Sequence, residues 1–260
     1  MLEGALILLF SSCSVKEDRS PCPCLLTVDL SRTLNESITP PALWDRGMSL
    51  VLYDSGGSEI LKSGYEFESA RQTYEYAVPR GDVSISGVMG LKDGFIAGGN
   101  YLLPEGKESD RLYVSSGLAD CSGEEALFVL EMYKQFSEIT VTGLDSFEMR
   151  LEATAGSNVL DLKSRKAVPG RFRFDLLADD EGVCRFRLPR QVEDDLQIIM
   201  YDADGRLNNS IPLGKYLTDT GFDWDALSLD DVTVNVDRVT VSVSIAISGW
   251  SNIYEFPYTI

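Results

Sequence analysis

The chain of 260 residues contains no histidine. That absence removes the usual general base, the commonest metal ligand and the one side chain that titrates near neutral pH. Ser-His-Asp and Cys-His catalysis are excluded within the chain, as are zinc sites of the mixed Cys/His kind. Basic residues are scarce as well: 23 Lys and Arg stand against 41 Asp and Glu, for a net charge of −18. Such a surface repels nucleic acid, whose binding depends on basic residues neutralising phosphates, and it repels anionic lipid headgroups for the same reason. Any hold on a membrane must come from an anchor. The apolar run at the start of the chain, Ala5 to Phe10, falls far short of the ~20 residues a spanning helix needs. Helical periodicity is also scarce along the chain.

What the N-terminus does contain is informative. The run from Ala5 to Phe10 is followed by Ser11, Ser12 and Cys13, and then by the polar stretch Ser14-Val15-Lys16-Glu17-Asp18-Arg19-Ser20. A cleaved secretory core and a buried N-terminal strand both fit a run of this length; the abrupt change to charged residues favours cleavage. Small residues directly before a cysteine are the pattern of bacterial lipoprotein signals, in which the cysteine becomes the mature N-terminus and carries acyl chains. At roughly 0.8 kcal/mol per buried CH₂, two or three such chains hold a protein at a membrane. Residues 1–12 are therefore read as a signal peptide, residues 13–24 as a lipidated tether and Cys13 as the lipidation site. With Cys13 acylated, Cys22, Cys24, Cys121 and Cys184 remain. An even number in an exported chain permits two disulfides, free thiols are equally open, and spacing does not give the connectivity.

Beyond the tether, alternation of period two dominates. Leu26, Val28 and Leu30 alternate with Thr27 and Asp29, Met48, Leu50 and Leu52 alternate with Ser49, Val51 and Tyr53, and Val83 and Ile85 restart the pattern after the Pro79–Asp82 turn. Phe172, Phe174 and Leu176 face one way against Arg171, Arg173 and Asp175, and Cys184, Phe186 and Leu188 oppose Arg185 and Arg187. These are strands with one face on a core. The arginine ladder reads as a solvated face that blunts sheet edges, or as a surface for an acidic partner. Val232, Val234 and Val236 share one phase and Val243, Ile245 and Ile247 the opposite one, so a hairpin turn or bulge is expected at Asp237-Arg238. Many short strands with turns about every ten residues predict an all-β chain of antiparallel β-sandwiches. The polar, turn-rich segment between Cys121 and Phe136 suggests a division into sandwiches at 25–125 and 126–260.

Motifs that carry chemistry are few. Asp202-Ala203-Asp204-Gly205 resembles the start of a calcium loop but lacks the later bidentate acid, and Asp-Gly is a strong hairpin signal. Asp223-Trp224-Asp225 with Asp230-Asp231 could gather carboxylates for a cation or a sugar, although acidic loops are usually only solvated. The Gly94–Gly99 stretch precedes neither a helix nor a Lys-Ser/Thr pair and is no phosphate cradle. No carboxylate spacing identifies a glycosidase pair. No catalytic, cofactor-binding or metal-binding residue is assigned, and an enzyme is not expected.

Several of these stretches come together in one resemblance. Cys13 followed by Lys16 to Cys24 and the strand Leu25–Leu30 resembles the N-terminus of the FimB family, the fimbrial anchor and accessory lipoproteins of Bacteroidales type V pili. Ile211 to Leu217, Thr220 to Asp225, Leu229-Asp230-Asp231 and the valine-rich hairpin ending at Gly249-Trp250 look like that family's closing pattern. The resemblance implies two tandem transthyretin-like β-sandwiches, a lipid anchor in the outer membrane, a surface-exposed position in a fimbrium, and shaft or accessory subunits as partners, with a host or bacterial surface ligand as a further partner. It makes Lys16, Glu17 and Asp18 look like a surface-export signal, a role that a plain charged tether would mimic. It also implies assembly by strand donation, in which a terminal strand completes a neighbour's sheet. The tail places Trp250, Tyr254, Phe256, Tyr258 and Ile260 on one face, and Pro257 confines it to an edge. The tail then either packs on its own domain as an edge strand or enters a neighbouring subunit. The alternative function is a surface lipoprotein that binds glycan around Trp224.

Overall fold

The computed structural model of the chain describes residues 22–65, 72–143, 150–192, 194–202, 204–237 and 242–257. Cys13, Lys16, Glu17 and Asp18 lie outside the described residues, as do Tyr258 and Ile260. The first half forms β1 (Cys24–Asp29), β2 (Met48–Tyr53), β3 (Glu59–Tyr65), β4 (Thr73–Val78), β5 (Asp82–Met89), β6 (Phe95–Ala97), β7 (Asn100–Leu102), β8 (Tyr113–Asp120), β9 (Glu125–Val129) and β10 (Tyr133–Lys134). The second forms β11 (Phe136–Thr142), β12 (Arg150–Ala155), β13 (Val159–Asp161), β14 (Lys166–Val168), β15 (Phe172–Leu176), β16 (Cys184–Pro189), β17 (Gln197–Tyr201), β18 (Leu207–Ile211), α1 (Leu213–Thr220), β19 (Val232–Asp237), β20 (Ser242–Ile247) and β21 (Ile253–Pro257).

The architecture is all-β and duplicated. The first sandwich packs a β4-β1-β9 sheet against β10-β8-β5-β2-β3; the second packs β16-β11-β19-β20-β21 against β15-β12-β17-β18. In chain order, β1, β2, β3, β4, β5, β8 and β9 pair as β11, β12, β15, β16, β17, β18 and β19 do. The opening strand of each half pairs antiparallel on one side, with β4 or β16, and parallel on the other, with β9 or β19. The expected antiparallel sandwiches are observed, with these two parallel pairs added. A parallel neighbour must be reached by a long crossover, here nearly a whole sandwich, and local alternation carries no trace of so distant a partner.

The division between halves also falls later than residue 125. The polar segment at 121–124 is the turn joining β8 to β9; β9 pairs with β1 and β10 with β8, so the change of sheets comes between Lys134 and Phe136. Gln135 at that point is buried, donates to the carbonyls of Tyr133 and Leu227, and accepts from Arg190.

The alternating residues take the burial their pattern predicts: Leu26, Val28, Leu50, Leu52, Phe172, Phe186, Leu188, Val234 and Ile245 are all buried. The β17–β18 hairpin turns at Gly205, whose left-handed φ of 77° suits glycine, and Asp202 Oδ1 accepts from the Asp204 and Arg206 amides. β19 and β20 pair from Val232↔Ile247 to Asp237↔Ser242, which is the hairpin expected at the phase change. Helix α1 presents Leu213, Tyr216, Leu217 and Thr220 to the core at helical spacing. It starts after Pro212 and stops at Gly221, whose φ of 88° caps it in the left-handed region. Gly214 lets it sit close to the chain before β17, since a Cβ there would come within 2.3 Å of the Asp194 carbonyl oxygen.

The two halves are joined by more than a linker. Hairpin β6–β7, inserted between β5 and β8 of the first sandwich, and hairpin β13–β14, inserted between β12 and β15 of the second, pair through β7 and β13 into one four-stranded sheet. Val51, Val88 and Val114 of the first half share a continuous apolar cluster with Leu160, Leu162 and Ile139 of the second. The Ser86 and Ser116 hydroxyls donate to the Leu162 carbonyl, and Leu103 and Asn158 exchange hydrogen bonds at 2.8–2.9 Å. The halves should therefore unfold together. Leu162→Ala is expected to cost about 2–5 kcal/mol and to lower the midpoint of a single calorimetric transition; two separated transitions in the parent chain would contradict a shared core.

Candidate functional site

Among the described residues, the features best placed to act on another molecule are sheet edges, and they differ between the halves. β21 closes the edge of the second sandwich by pairing with β20 from Ala246↔Ile253 to Ser242↔Pro257. Tyr254 and Phe256 are half-buried. The Phe256 ring stacks on Tyr216 of α1, with centroids 4.5 Å apart and planes 7° from parallel, and the Tyr216 hydroxyl donates to the Pro257 carbonyl at 3.0 Å. Burial raises the Tyr216 hydroxyl above the ordinary tyrosine range, so it stays a donor. Trp250 precedes the strand, donates to Asp230 at 3.2 Å and packs edge-on against Tyr254. Of the two placements open for the tail, the structure adopts the intramolecular edge strand for residues 253–257. Trp250, Tyr254 and Phe256 come together as one patch.

The first sandwich has no counterpart to this cover. Helix α1 lies in the β18–β19 connection, where the first half has only the turn at 121–124, and nothing among the described residues occupies the place of β20 and β21 beside β9. β9 is an edge strand on whose outward face Leu127 is 66% exposed, with Val129 and Leu25 of the adjoining β1 also exposed. Inward, Phe128 packs so closely over Gly117 that a Cβ there would sit 2.7 Å from its ring. Leu118 of β8 is also exposed, but on the far face of the opposing sheet. The sequence reading took Ala126–Met132 as the start of the second domain and so passed over Leu127 and Val129. The available signal was a short apolar run whose only charge is Glu125, unusual for an edge that would otherwise be blunted.

The charged groups singled out in the sequence are largely engaged within the chain. Arg173 meets buried Glu152 at 2.6 Å, Arg185 meets Asp179 at 3.0 Å, and Arg187 pairs with Glu108 and donates to the Ser109 carbonyl. The ladder thus holds loops and neighbouring strands, leaving Arg171 without an ion-pair partner among the described residues. Hydrogen bonds from the Val183 amide, Arg185 and the Glu181 amide keep the Asp179 carboxyl below the usual carboxylate range despite some desolvation. Asp231 binds Lys134 and the Glu138 amide, Asp225 meets Lys166 at 3.0 Å, and Asp223 accepts from the Asp225 amide. No group of three acids or cysteines able to hold a metal occurs among the described residues.

Trp224 is buried, edge-on to Phe222 at 4.7 Å, and its carbonyl accepts from Arg190. It therefore offers no aromatic face to a sugar. Arg190 is itself buried, donating to Gln135 and to the carbonyls of Trp224 and Ala226; burial is the main cause that lowers its pKa to about 10. No described helix is long and apolar enough to cross a membrane.

No profile of a known protein family matches the sequence, and no curated protein matches it either. Solved structures do. A candidate polysaccharide-binding protein of the DUF1812 group from Bacteroides thetaiotaomicron superposes with a TM-score of 0.62 at 13% identity, covering 90% of this chain and 98% of that one. A candidate adhesin from Bacteroides ovatus gives 0.58 at 14% identity over 90% and 95%. The fimbrial anchor protein Mfa2 from Porphyromonas gingivalis gives 0.56 at 11% identity over 88% and 98%. At such identities the likeness concerns the fold. The chain has the two-sandwich fold of these Bacteroidales fimbrial and adhesin structures, as the sequence resemblance implied.

The docking of the tail on α1 is open to a direct check. Phe256→Ala removes a stacked aromatic pair worth about 0.5–1.5 kcal/mol beyond its area. It should speed amide exchange and proteolysis across 253–257 while leaving the β12 and β17 amides protected; unchanged protection of β21 would show that the stack does not hold the tail.

Proposed function

We propose that the chain is a subunit of a surface fimbria, anchored to the outer membrane by acyl chains on Cys13, with Lys16, Glu17 and Asp18 directing it to the surface. It joins other fimbrial subunits by β-strand complementation. The fold shared with a fimbrial anchor protein supports the class of function. The observation that carries the mode of assembly is the difference between two sandwiches of one topology: the β19 edge is filled by β20 and β21, whereas the equivalent β9 edge is open and flanked by exposed Leu127 and Val129. An extended strand added there would gain backbone hydrogen bonds along β9 and pack alternate side chains on that apolar strip. The tail is the element that could be donated in return, because an edge strand with Pro257 at its end is held by one neighbour only.

The test uses cells that assemble the fimbria. The parent chain should incorporate labelled fatty acid and fractionate with the outer membrane, and Cys13→Ser should do neither; label retained by the Ser variant would overturn the anchor. Leu127→Lys places a charge on the open strip without touching the core. It should reduce co-purification of fimbrial subunits at least about tenfold, the equivalent of ~1.4 kcal/mol, with an unchanged melting temperature. Deleting Ile253–Ile260 separates the roles of the two edges: unchanged attachment of a stably folded deletion variant would exclude donation by the tail and leave β9 as the joint.

A further inference from the structure

The four described cysteines carry no bridge, yet two of them are placed as a pair. Cys22 is exposed, and Cys184 lies on β16 in the apolar cluster of the second half. Cys24 and Cys121 are fully buried in the same cluster of the first sandwich, and each thiol lies within the other's electrostatic reach. Their neighbourhood is held from several sides. Cys24 opens β1 opposite Val78, the last residue of β4. Cys121 follows β8 and donates its amide to the Gly81 carbonyl at 3.0 Å, so both cysteines flank the turn that joins β4 to β5. The Leu25 amide donates to Glu124 at 2.8 Å, and the Arg80 guanidinium bridges the carbonyls of Cys22 and Ser122 at 2.9 and 3.1 Å. Two chain segments far apart in sequence are thus clamped side by side, each with a buried cysteine in one cluster.

We propose that Cys24 and Cys121 are joined by a disulfide in the exported protein, locking the first strand to the β8–β9 turn; the inference rests on the export reading above. The two thiols lose two protons and two electrons as the S–S bond forms. The oxidant is a disulfide, either of a protein thiol oxidase or of glutathione, which is reduced to two thiols. One cysteine attacks it to give a mixed disulfide, and the other displaces the second sulfur. The thiolate is the attacking species, and in the folded chain burial pushes the Cys121 thiol up to about 12. The bond therefore forms while the chain folds, before the pair is enclosed. It closes a loop of nearly the whole first sandwich, the case in which a cross-link restricts the unfolded chain most. Under the proposed anchoring, pull on the membrane tether enters at the start of β1, and the bond passes that load to β8 and β9 instead of letting β1 peel.

The experiment uses the full chain. Reduced, unfolded protein is refolded in a mixture of reduced and oxidised glutathione, alkylated in denaturant and analysed by peptide mass. The expected product has lost two hydrogens, with Cys24 and Cys121 cross-linked and Cys22 and Cys184 alkylated, and it melts about 10 °C above the same protein after reduction. Folded, reduced chain placed in the same mixture should react far more slowly. Alkylation of Cys24 and Cys121 after refolding, or cross-linking of either to Cys22, would overturn the pairing. The same peptides are then read from cells that export the chain. Reduced thiols in an envelope fraction that contains the chain would overturn the bond in the working protein. A bond on refolding but reduced protein confined to the cytosol would instead overturn the export premise, and with it the bond's occurrence in cells.

Discussion

The sheet of β2, β5 and β8 is buried on both faces, and most of the architecture follows from that constraint. One face closes the first sandwich through Leu50, Leu52 and Ile85; the other, through Val51, Val88 and Val114, lies in the cluster it shares with the second half. A sandwich sheet normally offers one face to water. Here the outer face must be covered, and the β13–β14 hairpin, paired through β7, is what comes over it. The serines at 86 and 116 on this covered face would be costly if unpaired, and both donate to one carbonyl, that of Leu162. The second half is therefore required to complete the core of the first.

A polar node secures the same junction from the side of the linker. Arg190 is a buried cation whose hydrogen-bond partners are Gln135 and the carbonyls of Trp224 and Ala226. Removing a guanidinium from water is expensive, and the lowered pKa of about 10 reflects that cost, with desolvation as its main cause. The sign follows directly: a base whose folded pKa is depressed disfavours the folded state in full below that pKa, which includes neutral pH, and the penalty begins to fall only as pH rises through about 10. The return is geometric. A planar fork holding the linker residue and two carbonyls of one loop fixes that loop against the linker, and the loop leads straight into β19, which the tail hairpin must meet.

How much of this was legible in the sequence depends on the range of the interaction concerned. Alternation is local, so the inward faces of β1, β15, β16, β19 and β20 and the Asp-Gly and Asp237 hairpins could be read directly. Val51, Ser86 and Val88 lie in the opposite phase to Leu50, Leu52 and Ile85, which alternation alone would leave facing water, and they are buried because a distant hairpin covers them. The parallel partners of β1 and β11 are equally distant, and helix α1 is too short for its period to stand out. The arginine ladder was legible as an outward face. That it is spent on Glu152, Asp179 and Glu108 was not, since those acids come from other strands and loops. Of the tail, Tyr254 and Phe256 were correctly placed on one face, but their platform, Tyr216, stands on a helix that periodicity did not reveal.

The duplication gives meaning to what differs between the halves. Had both sandwiches carried only the seven shared strands, each would leave the edge of its parallel strand open, and open edges are hazards that proteins cover or blunt. The second half covers its edge with β20 and β21 and supports the cover with α1, through the Tyr216–Phe256 stack. The first half has the same edge, a tighter turn in place of the helix, and exposed leucine and valine where a gatekeeping charge would be expected. A single-domain argument would count this edge as a flaw. Within one chain that covers the same edge on its other half, the edge left bare among the described residues is the main asymmetry between the two sandwiches. The shared cluster and the β7–β13 pairing tie that edge and the tail into one folded unit.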